Sequence, residues 1–242
     1  MLAFNQKLFF YFDKVIILSS DDENDTINQT CSSRNGISEA DILILGDEKG
    51  LLNDEIITYY MKLLCLTLIG SDNKPLAFCF DTNFYKKLEE NKHENALKWS
   101  PDLLKYKYAL VPIFTNSCTP GINNIGHWSL IIVDMENSSI YYYDSLSFVQ
   151  GDKCINHMKK FLTLKYENKN DASKSSFREW VSGSMPNIPK QKNEFDCGVF
   201  MCQFAKSVVN GQRIAELSFL SSIKELREEM IVEIKEKKIK KK

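Results

Sequence analysis

The sequence predicts an α+β protein, a small mixed sheet flanked by helices, from three observations. A strongly periodic helix pattern stands early in the chain, the clearest hairpin signal stands in the middle, and three further helical patterns follow it. Helices before and after a compact group of strands suit this class better than a strictly alternating parallel fold. At 242 residues and 43% hydrophobic composition, the chain suffices for one good-sized core.

Taken in order, residues 1–36 read as an N-terminal segment outside that core. "VIILSSDDEND", Val15 to Asp25, runs four aliphatic residues into two serines and an acidic cluster. The polar stretch from Ser19 to Ser38 shows no hydrophobic period and reads as a linker. The folded part, 37–242, is expected to begin near Ile37. "LLNDEIITYYMKLLCLTLIG" offers Asn53 or Asp54 as N-cap and places Ile56, Tyr60, Leu63, Leu64 and Thr67 on one face of a helix ending before Gly70. "NFYKKLEENK" predicts a short helix, and "YALVPIF", Tyr108 to Phe114, a buried strand.

"GHWSLIIVDMENSSIYYYDSL" holds two apolar runs, Trp128–Val133 and Ile140–Tyr143, around a polar turn at Glu136, Asn137 and Ser138, the pattern of a β-hairpin. A helix over Lys153–Lys165, a strand at "FREWV" and a helix over "DCGVFMCQFAKSVVNG" follow. The last helix, in "SFLSSIKELREEMIVEIKEKK", is expected to fray into a basic tail over 235–242.

A net charge of −1 exerts no long-range pull on nucleic acid or membrane, although Asp21, Asp22, Glu23 and Asp25 oppose six lysines at the C-terminal end. Seven cysteines, an odd number without a Cys-x-x-Cys pair, fit reduced thiols in the cytoplasm or nucleus better than a disulfide framework. With three histidines, His93, His127 and His157, no metal site is expected. The apolar start is broken by Asp13 and Lys14 and followed by acid, which argues against a signal peptide or a membrane span.

The chemistry gathers on three residues. A hairpin turning at Asn137 brings His127 and Asp144 almost opposite each other, near enough for an imidazole and a carboxylate to bond. Cys197 stands at the start of an apolar helix, whose positive end favours thiolate. Together they form a complete nucleophilic set: the thiolate attacks a carbonyl, His127 carries the proton and Asp144 orients the ring. Gln191, six residues before the cysteine, is a candidate oxyanion donor. Taken singly, each has a plainer reading, since a cysteine on a core helix is usually packing. Cys65 and Cys202 are read as core, His93 as solvated and His157 as a helix-surface residue.

The combination is more specific than its parts. "LLNDEIITYYMKLL", the His127-Trp128 pair with Tyr-Tyr-Asp-Ser ending just past Asp144, and "IPKQKNEFDCGVFMCQFA" resemble, in that order, the Ulp/SENP family of SUMO-specific cysteine proteases. The resemblance covers Ile37 to the final helix. It implies a papain-like superfamily fold of the Ulp/adenovirus-protease type and cleavage after the C-terminal Gly-Gly of SUMO. It implies His127, Asp144 and Cys197 as triad and Gln191 as oxyanion donor. Trp128 would roof a channel for the Gly-Gly tail, with Asp54 and residue 51 also in the substrate site. There the family usually has Trp, whereas this chain has Leu51.

On the same resemblance, Val15, Ile16, Ile17 and Leu18 with the acids after them look like a SUMO-interacting motif, a strand added to SUMO's sheet edge. The alternative is an N-terminal strand packed on the domain. The expected partner is SUMO or a related ubiquitin-like modifier and its conjugates, with no cofactor, for a monomer. Other readings stay open: a protease of NEDD8 or ubiquitin, an acetyl transferase using the same triad, or a SUMO-binding module with a degenerate centre.

Overall fold

The structure is a computed structural model that describes residues 36–71, 74–116, 126–146, 150–166, 179–212, 214 and 222–240. The candidate motif at Val15–Leu18 lies outside the described residues. The chain divides into two units, Met1–Ile37 and Ser38–Lys242, and every helix and strand described belongs to the second.

Five strands form one sheet in the order β1 (Ala77–Cys79), β2 (Tyr108–Asn116), β3 (Gly126–Asp134), β4 (Ser139–Tyr143) and β5 (Val181–Ser184). The central three are antiparallel, while β1 and β5 join the edges in parallel, so the sheet is mixed. Both faces are covered, which explains why β3 reads as a continuous apolar run instead of an alternating one. On one face Val111, Ile113, Ile131, Val133, Ile140 and Tyr142 pack with α3 (Phe84–Glu89), α4 (His93–Trp99) and α5 (Gly151–Tyr166). The alternate residues Leu110, Leu130, Ile132 and Tyr143, also buried, serve the other face. There Tyr143 meets Phe204 of α6 (Cys197–Val209), ring centroids 6.0 Å apart.

The remaining helices are α1 (Glu39–Gly46), α2 (Asp54–Thr67) and α7 (Ile223–Glu236). Asn53 caps α2, its side chain accepting from Ile56 N at 2.9 Å while its amide donates to Asp41 of α1. Ile56, Tyr60, Leu63 and Leu64 are fully buried, as the helical period predicts, and Thr67 is half-buried. The hairpin turn is held by Asp134, whose Oδ1 accepts from the N–H groups of Glu136 and Asn137. Ser138 completes it with φ 50.

Several expectations are corrected. Of the strand expected at "FREWV", Phe177 and Arg178 lie outside the described residues, and β5 begins at its last residue, Val181, where pairing with β4 starts at Ser139. The final helix does not simply fray. Lys237 ends it in the left-handed conformation, Ile239 is buried, and its N–H donates to Thr67 Oγ1. His93 is buried, not solvated, at the start of α4, and neither ring nitrogen has a partner among the described residues. His157 is half-buried, with Nδ1 3.1 Å from the Tyr85 hydroxyl.

Candidate active site

The β3–β4 register pairs Leu130 with Tyr143, and its continuation sets Asp144 opposite Ser129. His127 lies two residues further along β3, on the same face, so the two side chains meet diagonally across the end of the hairpin. His127 Nε2 and Asp144 Oδ1 are 2.7 Å apart, and both residues are buried. Asp144 Oδ1 also accepts from Leu146 N, which fixes the carboxylate in the turn leaving β4. Lys190 Nζ donates to the Asp144 carbonyl at 2.8 Å, and burial lowers the pKa of that ammonium.

Cys197, 2% exposed, begins α6 and hydrogen-bonds to His127. With Nε2 committed to Asp144, the contact with sulfur falls to Nδ1. Burial by itself pushes the imidazole down, but the hydrogen bonds and charges of Asp144 and Cys197 outweigh it and raise its pKa to about 9. The ring therefore carries a proton at neutral pH, available to a departing group.

Helix α6 is held close to the groove wall. A Cβ at Gly198 would stand 2.9 Å from the Leu52 Cβ, so only glycine fits directly after the cysteine. Leu52 in turn accepts at its carbonyl the indole N–H of Trp128, at 2.8 Å. Leu51, Leu52, Asp54, Phe114, Trp128 and Cys197 line one groove of about 400 Å³. Trp128 is mostly buried, whereas Leu51 and Phe114 are about half exposed.

Gln191 is buried beside the triad, with Oε1 accepting the Ser145 hydroxyl and Nε2 donating to Asn193 O at 2.6 Å. Its backbone N–H bonds to Ser145 O, tying the loop before α6 to the segment after Asp144. The structure thus brings His127, Asp144 and Cys197 into one bonded chain and sets Gln191 on the adjoining loop. Cys65 and Cys202 lie elsewhere, and burial pushes the Cys65 thiol up to about 12. Among the described residues, no group of three or more His, Cys, Asp or Glu side chains is arranged to hold a metal ion.

Residues 51–241 match the family model described as the Ulp1 protease family, C-terminal catalytic domain. The chain belongs to this family. It is 28% identical over 190 residues to a Sentrin-specific protease of Caenorhabditis elegans, covering 78% of this chain and 25% of that protein. It is 30% identical over 158 residues to Sentrin-specific protease 2 of Homo sapiens, covering 64% of this chain and 25% of that one. The chain thus matches about a quarter of the length of these curated relatives. Among solved structures, the C-terminal Ulp1 protease domain in complex with Smt3, the yeast orthologue of SUMO, has the same fold. Its TM-score is 0.61 at 21% identity, over 81% of this chain and 80% of that one.

Phe114, Ser145, Lys190, Asn193 and Arg227 also shape the site and are not among the candidates that type and spacing offer. Ser145 and Asn193 stand inside quoted motifs but carry no chemistry by type. Arg227 left a signal, since it falls with Leu226 and Met230 on the buried stripe of α7, where a charge is out of place.

Proposed function

We propose that this chain is a cysteine protease and isopeptidase that cleaves after the C-terminal Gly-Gly of SUMO, trimming precursors and releasing SUMO from target lysines. The observation that carries the reading is one imidazole, His127, bonded to both Asp144 and Cys197 at the end of a groove. Family membership, relatives named Sentrin-specific proteases and the fold shared with a SUMO-bound Ulp1 domain support it.

In this reading the Cys197 thiolate attacks the carbonyl carbon of the terminal glycine. The tetrahedral oxyanion takes hydrogen bonds from the start of α6 and from the Gln191 amide. His127 gives its proton to the departing lysine amine, then as neutral base takes one from the water that hydrolyses the thioester. Asp144 keeps the ring oriented. Trp128 and Leu52 leave little room beside the scissile bond, which favours a tail without side chains.

The test is reaction with SUMO carrying a C-terminal electrophile, with NEDD8 and ubiquitin analogues alongside. The native chain should form a covalent adduct with SUMO, and Cys197→Ala should form none while still binding the modifier. An adduct only with NEDD8 or ubiquitin would reassign the substrate, and no adduct with any modifier would leave a binding module.

The segment Val15–Leu18 is proposed as a docking strand for a second SUMO. A peptide spanning Lys14 to Asp25 should bind SUMO weakly, and replacing Ile16, Ile17 and Leu18 by Ala should abolish that binding. In the full chain the same replacement should slow cleavage of poly-SUMO while sparing a single precursor. Loss of thermal stability instead would make the segment part of the core.

A further inference from the structure

Asp196 is the residue before the nucleophile and has the type that caps helices, yet it does not cap α6. Its backbone is helical, φ −91 and ψ 0, where a capping residue is extended, and its carboxylate makes no bond to the helix N–H groups. Both oxygens are engaged elsewhere. Oδ1 accepts from Arg227 Nη2 at 2.9 Å and Oδ2 from Asn193 Nδ2 at 2.7 Å. Asn193 meanwhile caps the preceding turn, its Oδ1 accepting from the N–H groups of Phe195 and Asp196.

Arg227 comes from α7 and is 1% exposed. Besides Asp196, its guanidinium donates to the carbonyls of Leu45 at 3.3 Å, Gly50 at 2.9 Å and Phe195 at 3.5 Å. Gly50 immediately precedes the groove residues Leu51 and Leu52. One buried cation therefore binds the segment before the nucleophile to the segment that forms the opposite wall.

We infer that Arg227, aided by Asn193, is a positioning residue that holds the Asp196 carboxylate away from the start of α6. The inference rests on Cys197 being the nucleophile. The first N–H groups of a helix form an anion site, and a carboxylate competes for it with thiolate and oxyanion alike. Released from Arg227, Asp196 would be free to turn its backbone from ψ 0 to the extended value of a capping residue and bond the Gly198 or Val199 N–H. Its charge would then stand where negative charge develops in the reaction. The buried pair accordingly keeps the helix end vacant for substrate, a role distinct from contributing stability, for which buried ion pairs are poor devices.

The experiment compares the native chain with Arg227→Met, Arg227→Lys and the double variant Arg227→Met/Asp196→Asn, each checked for folding by circular dichroism. The readouts are kcat and KM on a SUMO precursor and the rate of Cys197 alkylation by iodoacetamide across pH. Arg227→Met should lose ~100-fold in kcat with KM within ~3-fold, and its alkylation should slow in parallel. The double variant should regain at least ~10-fold of both rates, because asparagine brings no charge to the helix end. Arg227→Lys, which keeps a cation beside Asp196, should alkylate at nearly the native rate.

A folded double variant no faster than Arg227→Met, or a loss carried by KM alone, would overturn the inference. Should Arg227→Met fail to fold, the double variant leaves no buried charge unpaired and is compared with native directly. A kcat within ~10-fold of native then supports the inference, and a larger loss overturns it. If the double variant does not fold either, alkylation of Arg227→Lys decides, a slowed rate at native KM counting against it. A native chain that cleaves no modifier would instead remove the protease reading itself.

Discussion

Ser145 donates its hydroxyl to Oε1 of Gln191, with both side chains buried beside the triad. The opposite end of the same amide donates to Asn193 O. A flipped amide would set oxygen against a carbonyl and leave the serine facing an N–H, so the orientation is determined. Nε2 carries two hydrogens, and Asn193 uses one.

Gln191→Ala should therefore cost ~10² to 10³ in kcat with little change in KM, the scale for one oxyanion donor. Ser145→Ala should cost less, about 10-fold, by loosening the amide. Because Ser145 acts through Gln191, the double variant should be no slower than Gln191→Ala. Steady-state kinetics on a SUMO precursor check this, and losses that multiply would show Ser145 working through another group.

The imidazole of His127 governs the alkaline side of the pH profile. With its pKa raised to about 9, the proton needed by the leaving amine is present below that pH and lost above it, so kcat/KM should fall through about 9. Asp144→Asn removes a carboxylate that raises the value and leaves burial to lower it, so the falling limb should move to lower pH. Stability follows the same sign. The imidazolium–Asp144 contribution is complete below the ordinary 6.5 and is lost as pH rises through about 9. The melting-temperature gap between native and Asp144→Asn should narrow across that window, and a constant gap would refute the linkage.

The groove wall is the place to change tail selection. Phe114 and Trp128 are directly opposed across β2 and β3, their rings 4.7 Å apart, and Phe114 lies over Gly126. Leu51 lines the same groove with half its surface exposed. Leu51→Trp should narrow the groove and sharpen the preference for Gly-Gly over Ala-Gly tails. Phe114→Ala should widen it and raise KM more than it lowers kcat. Paired assays with the two tails measure both, and unchanged discrimination in Leu51→Trp would show that residue 51 does not contact the tail.

The elements legible in the sequence are those whose burial follows one period. Helix α2 presents Ile56, Tyr60, Leu63 and Leu64 on a single face, and the β3–β4 hairpin has a turn of residues suited to it. Helix α1 escaped because "EADILILG" has no apolar face: Leu45 is fully buried while Leu43 is largely exposed. Strand β1 spans three residues, too few for a pattern, and α4 opens at His93 in a polar stretch. His127, Asp144 and Cys197 could be nominated by type and spacing. Ser145 and Phe114 could not, and Arg227 shows in the sequence only as a charge out of place on α7, because their roles depend on neighbours far away in sequence, as with Arg227 and Asp196 31 residues apart.

The C-terminal residues are tied in through a buried polar cluster on Glu233, which is wholly inaccessible. Its Oε2 accepts from the Tyr60 hydroxyl at 2.6 Å, and Oε1 accepts from Lys206 Nζ at 2.6 Å and from Lys240 N at 2.7 Å. Helices α2, α6 and α7 and the segment after α7 thus share one carboxylate. Burial first, and then the charge of Glu233, keeps the Tyr60 phenol protonated. Removing this carboxylate leaves the buried Lys206 ammonium with Glu229 alone, 3.1 Å away, so Glu233→Ala should cost ~3 kcal/mol in urea denaturation. Replacing Lys206 and Glu233 together by Met should cost far less, since no charge is left buried alone. Ile239→Ala, at a residue 2% exposed, should cost ~2 to 5 kcal/mol, whereas Lys238→Ala on the exposed side should change little. Lys206 lies nine residues beyond Cys197 along α6, so the folded fraction of each variant should keep a kcat near native. An unchanged urea midpoint in Ile239→Ala would return the C-terminal end to the solvated tail that its lysines suggest.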